Sequence, residues 1–115
     1  MSKKIVTEEI WQGIVKGEAG GTFDTTGDAL PTTGFVVGGR TSSLVAPRTY
    51  EELSAYIQRQ PEGLVGYWKD SISGLYHIDS CTWHVNRGHA LGVARRRAEL
   101  AIYDVISDQE VSVTH

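Results

Sequence analysis

Hydrophobic and polar positions along the chain change period several times, and each period predicts an element. In TEEIWQGIVKG, Ile10, Trp11, Ile14 and Val15 recur at helical spacing and describe one face of a helix. Thr7 stands in the capping position, with Glu8 and Glu9 in the first turn, where negative charge is favoured. Gly13 weakens this helix by about 1 kcal/mol relative to alanine. Gly17 supplies its stop.

Residues 17–47 lose that periodicity and are rich in Gly, Thr and Ser. They predict a loose hairpin in which GTF and GFVVG flank a loop, with Thr-Gly-Asp and Pro31 as turn chemistry. Neither GxGxxG nor GxxxxGK[ST] occurs, so the glycines read as turn residues rather than as a phosphate cradle.

The second half is better defined. In TYEE, Glu52 lies three residues beyond Thr49, the capping-box arrangement, and Tyr50, Leu53, Tyr56 and Ile57 form the buried face of a helix that Pro61 stops. GLVGYWKD and LYHIDSCT are β-rich runs separated by SISG and predict an antiparallel hairpin. NRGHALGVARRRAEL predicts a helix capped by Asn86, with a narrow face of Ala90, Leu91, Ala94 and Ala98. The tail LAIYDVISDQEVSVT predicts a strand, a turn at Ser107 to Gln109 and a last short strand. These elements sum to an α+β fold, a small antiparallel or mixed sheet with helices mainly on one face, in a single domain spanning 1–115.

Composition narrows the function. With 115 residues, 40% hydrophobic and 22% charged, the chain is sized for one small core that folds without staples. One cysteine excludes an internal disulfide and favours a reducing compartment. MSKKIVTEEIW is no signal peptide, and no apolar run approaches a membrane span, so the expected location is the cytoplasm. A net charge of −3 disfavours generic binding to nucleic acid, and suits a protein that meets other proteins.

Candidate chemistry concentrates in LYHIDSCTWH. Strand alternation puts His77, Asp79 and Cys81 on one face and Tyr76, Ile78, Ser80 and Thr82 on the other. Imidazole, carboxylate and thiolate are all metal ligands, but neighbours on one strand face are ~7 Å apart, too far for one ion with ~2 Å bonds. A nucleophilic Cys81 with His84 or His77 as base and Asp79 or Asn86 as orienter is the catalytic reading, and nothing in the sequence supplies its oxyanion hole. The preferred reading is structural, with Cys81 packed as a small hydrophobe. No catalytic residue, metal site or cofactor is assigned.

Trp68 and Tyr76 read as cross-strand or core anchors, and Trp83, placed in the strand-to-helix loop, as a candidate interface anchor. Arg87, Arg95, Arg96 and Arg97 fall on outward faces of the last helix, as a solvated face or as a patch for phosphate or an acidic partner. The candidate interaction or ligand residues are Trp83, His84, Arg87, Arg95, Arg96 and Asp79.

The run GYWKDSISGLYHIDSCTWHVNRGHALGVARRRAELAIYDV resembles small uncharacterised proteins of actinobacteriophages and actinobacterial mobile elements. Their pattern of W-x-D, G-x-Y-x-x-D-S, a helix with spaced alanines and a Q-x-A-I-x-D strand corresponds to Trp68 and Asp70, then Gly74, Tyr76, Asp79 and Ser80. It continues through Ala90, Ala94 and Ala98 to Ala101, Ile102 and Asp104. GGTFDTTGDALPTTGFVVG is similar to a further segment of the same group, while Glu99 replaces its usual glutamine. The resemblance implies a phage or mobile-element setting and brings no catalytic residues. The leading expectation is an accessory protein that binds a host protein and modulates it, as in counter-defence. The alternatives are a small enzyme or nucleotide-binding domain, and a nucleic-acid-binding regulator. A homodimer through the EVSVT edge is the remaining expected partnership.

Overall fold

The computed structural model describes residues 2–114. Helix α1 runs Lys3–Lys16, and its cap is Ser2, whose hydroxyl accepts from the Ile5 amide at 3.2 Å. Thr7 is therefore not the cap. It lies a turn inside the helix, fully buried, and donates to the Lys3 carbonyl at 2.7 Å. The buried face is Val6, Thr7, Ile10 and Gly13, with Trp11 and Ile14 partly covered and Val15 turned outward. Two lysines at the start carry no apolar period, which is why pattern alone begins the helix too late. Gly17 ends it with φ +75°, while Glu18 N–H closes on the Gly13 carbonyl at 2.9 Å.

Helix α2 runs Tyr50–Arg59 with Thr49 as cap, accepting from Glu52 N–H at 3.1 Å. The Glu52 carboxylate reaches back to the Arg48 amide instead of the Thr49 amide of a standard box. Gln60, which precedes Pro61, is extended, as the proline ring requires.

Strands are β1 Gly20–Asp24, β2 Phe35–Val37, β3 Leu44–Val45, β4 Leu64–Lys69, β5 Tyr76–His84, β6 Ala101–Asp104 and β7 Gln109–Ser112, with helix α3 Arg87–Arg96 after β5. They form a seven-stranded sheet of order β1-β4-β5-β2-β6-β7, with β3 also paired to β5, and every pairing is antiparallel. The hairpin expected between GTF and GFVVG does not form. β1 pairs β4 from Gly20↔Trp68 to Asp24↔Leu64, and β2 pairs β5 and β6. The connection over residues 25–34 is too long to force its flanks together as a tight turn does. The β4–β5 hairpin is present, and offers a free edge to each of the two strands.

Cross-strand partners share a face, so one side of the sheet carries Val65 and Tyr67 of β4 with Ile78 and Tyr76 of β5. Val6 and Ile10 of α1 and Leu53, Tyr56 and Ile57 of α2 bury that surface. Farther along the same side, Val37 and Ile102 receive Ala90, Val93 and Ala94 of α3. All three helices thus cover one face, and small α3 residues let its axis approach closely. Ala98 is not part of that face: it lies past the helix at φ 57°. The other face has a smaller cluster of Val36, Leu64 and Cys81.

Candidate functional site

β5 is the spine on which the candidate residues are set, and its middle is covered on both sides. Ile78 and Ser80 face the helices, Asp79 and Cys81 face away, and all four are buried. Between β2 and β3 residues 38–43 leave the ladder, although Arg40 N–H still meets the Ser80 carbonyl at 3.1 Å. Into this gap the Asp79 carboxylate receives the Ser43 hydroxyl. Gly38 crosses it so closely that a Cβ would collide with Asp79 Oδ2, and a Cβ on Gly39 would collide with the Glu99 carboxylate. Burial raises the Glu99 pKa, and the Asp79 charge adds to the rise, offset in part by Arg97.

These placements take the catalytic constellation apart. Burial, then the Asp79 carboxylate, pushes the Cys81 thiol up to about 12, so the thiolate is suppressed at neutral pH. His84 lies on the helix-covered side and Cys81 on the other. His77 shares the Cys81 side but sits roughly 13 Å along the strand, with its ring stacked on Trp68. Among the described residues, no group of three His, Cys, Asp or Glu side chains gathers as a metal site.

At the C-terminal end of β5 a basic group assembles. The His84 and His89 rings meet edge to face with centroids 5.0 Å apart, and His84 Nε2 is 2.8 Å from Thr82 Oγ1. Arg97 is not on the outward face the sequence suggests. Its Nη1 donates to the Val37 and Gly38 carbonyls at 3.2 and 3.1 Å and to Thr82 Oγ1 at 2.9 Å. Burial lowers the His84 pKa, followed by the charges of His89, Arg97 and Arg96. Arg87 and Arg96 remain exposed, and Arg95 reaches the Thr114 carbonyl at 2.9 Å.

The helix-free side of the β4–β5 hairpin carries the third feature. Trp68 and His77 are cross-strand partners, with ring centroids 4.4 Å apart and planes 8° from parallel. Val45 of β3 is the partner of His77 on its other side, so the three form one row. Trp68 is 46% exposed, Val45 45% and Leu75 45%, and Ile72 in the turn is almost fully exposed. Tyr76 is a core anchor, and Trp68 is a cross-strand anchor stacked on His77 and half exposed, outside the core. Trp83 belongs to β5 rather than to a loop, is exposed on the helix-free side, and donates from Nε1 to the Thr33 carbonyl at 2.7 Å.

Of the residues the sequence singles out, His84 lies beside His89, Arg96 and Trp83 are exposed, and the sequence points neither to His89 nor to the inward turn of Arg97. His84 and His89 are five apart across a strand-to-helix junction, where neither period relates them.

Two clefts of ≈ 400 Å³ each open on the surface. One lies between residues 41–44 and the end of α2 at Tyr56, Arg59 and Gln60. The other lies between the 28–33 loop, Leu64 and Trp83. Neither contains a paired nucleophile and base.

Fold and surface together define an α+β protein whose sheet is covered by helices on one side and displays aromatic and apolar side chains on the other. Compared with protein-family models, curated proteins and solved structures, the chain matches none. No helix is long and apolar enough to cross a membrane among the described residues.

Proposed function

We propose that this chain is a non-enzymatic binding protein, an accessory factor of a phage or mobile element that docks on a host protein and modulates it. The observation that carries this reading is the cross-strand row Trp68–His77–Val45, continued by Leu75 and Ile72 at the hairpin tip. Aromatic side chains on rigid strands make good anchors because little rotamer freedom is lost on docking. A mildly acidic chain without an excess of cations suits a protein partner better than a polyphosphate backbone. The enzyme reading is weaker because Cys81 is buried and protonated, with no histidine beside it.

The test is capture from host lysate by the immobilised protein, in parallel with a Trp68→Ala/Leu75→Ala variant of unchanged circular dichroism. A host protein held by the parent and lost by the variant is expected, with its purified form binding the variant at least ~10-fold more weakly. Its activity should change on binding. Equal retention by both proteins, or an eluate carrying only a nucleotide or metabolite, would overturn the reading.

A further inference from the structure

We propose that His84, His89 and Arg96 form a binding site for a phosphate-class oxyanion, separate from the Trp68 row. His84 closes β5, His89 stands in the first turns of α3, and Arg96 lies two turns farther on. His89, Gly92 and Arg96 follow one another at i, i+3 and i+7, so they share a helix face. Gly92 leaves that face bare between the two longer side chains. The Arg96 guanidinium lies back along it, with Nη1 3.6 Å from where a Cβ on Gly92 would stand. The His84 ring, 5.0 Å from that of His89, completes the basic group.

The charges acting on His84 are all cationic: His89 and Arg96 from the exposed side of α3, and Arg97 from its end. Acidic groups near it are engaged elsewhere. Asp104, on the same sheet face but separated from His84 by Phe35, accepts from the Ile106 amide at 3.1 Å. Glu99 acts on Arg97 and packs against Gly39. Glu99 offsets the charge of Arg97, which leaves Arg96 and the two histidines as the cationic groups that an arriving anion would meet.

Hydrogen bonding also prepares the donors. Thr82 Oγ1 accepts from the Arg97 guanidinium and stands 2.8 Å from His84 Nε2, so this ring nitrogen is already engaged by the hydroxyl. Nδ1 is the ring nitrogen left to meet an anion, and protonated His84 donates from it. The exposed imidazole of His89 and the guanidinium fork of Arg96 bring further donors. Several donors from separate elements suit a tetrahedral oxyanion, which has acceptor oxygens in several directions, better than a planar carboxylate. Binding should draw a proton onto His84, because burial and then the neighbouring cationic groups lower its pKa, and the anion offsets the second of these causes.

The test is NMR titration of the histidine ring signals with inorganic phosphate at pH 7, and with sulfate, which stays dianionic, from pH 5.5 to 8. His84 and His89 should shift together and saturate, His84 should titrate at a higher pH when sulfate is present, and sulfate should bind more tightly at the acid end. Arg96→Gln should weaken binding by roughly tenfold, as loss of a charge-assisted fork does. Lys16→Gln, the same charge change on α1, should alter it less than about twofold. A single-stranded oligonucleotide separates the sources of phosphate. Tighter binding than free phosphate at equal salt, lost in Arg96→Gln, assigns a polymer backbone, and no gain assigns a free anion. Absence of saturation, or equal weakening by Arg96→Gln and Lys16→Gln, would overturn the site.

Discussion

Gly13 of α1 lies against the phenol ring of Tyr67 so closely that a Cβ on the glycine would overlap the tyrosine hydroxyl. The residue that weakens the helix by pattern is the one that lets the helix reach the sheet. Helix propensity favours alanine here by about 1 kcal/mol, but overpacking a filled site costs about 1–3 kcal/mol. Gly13→Ala should therefore destabilise the protein in urea unfolding, whereas Gly13→Ala combined with Tyr67→Ala should lose this clash. A stabilised single variant would show that α1 shifts freely.

Ser80 is fully buried on the helix-covered side of β5, and its hydroxyl has no hydrogen-bond partner among the described residues. An unsatisfied buried hydroxyl costs roughly 1–3 kcal/mol, and alanine fills nearly the same space. Ser80→Ala should raise the urea midpoint without changing the slope. A loss of stability would indicate a partner for the hydroxyl, such as a bound water.

Arg97 links the end of α3 to the Val37 carbonyl of β2, to the Gly38 carbonyl just beyond it and to Thr82 on β5, whereas Arg96 points to solvent. Charge-assisted bonds of this kind contribute about 1.5–3 kcal/mol, so Arg97→Ala should be destabilising on that scale. Arg97→Lys should recover only part, since lysine lacks the planar fork. Arg96→Ala should stay within about 0.5 kcal/mol, as surface changes do. Equal effects at both positions would mean that helix charge, rather than the bridging contacts, sets the stability.

Two groups give opposite pH slopes. Glu99 has a raised pKa when folded, so the native state binds its proton more readily than the unfolded chain. Its contribution is most favourable at acid pH and is lost as pH climbs from the ordinary carboxyl range through the raised value. His84 has a lowered folded pKa, so stability falls as pH drops from about 6.5 towards that lower value. Glu99→Gln should remove the loss with rising pH, and His84→Gln the loss with falling pH, in urea midpoints followed from pH 4 to 8. Either variant leaving its own limb unchanged would contradict the assigned cause.

Burial keeps the Cys81 thiol protonated at neutral pH and screens it from reagents. Alkylation followed by mass spectrometry at pH 8 should be slow in the native protein and immediate in denaturant. Rapid native labelling would reopen the nucleophile reading.

What the sequence determined by itself are the features that one element can specify. Helical spacing and caps at Thr49 and Asn86 place α2 and α3, Gly17 stops α1, and SISG joins β4 to β5. Each rests on contacts within a few residues, where side-chain period and backbone dihedrals carry the information. Only the tertiary structure decided that β1 and β2 separate to opposite edges of the β4–β5 hairpin. It also decided that Asp79 is buried opposite Gly38, that Arg97 turns inward while Arg96 does not, and that His84 meets His89. Period-2 alternation cannot show this for β5, because both faces of its middle are covered by segments distant in sequence. A strand's partners, and hence the environment of its polar side chains, are set by which edges and faces remain free once the other elements have packed.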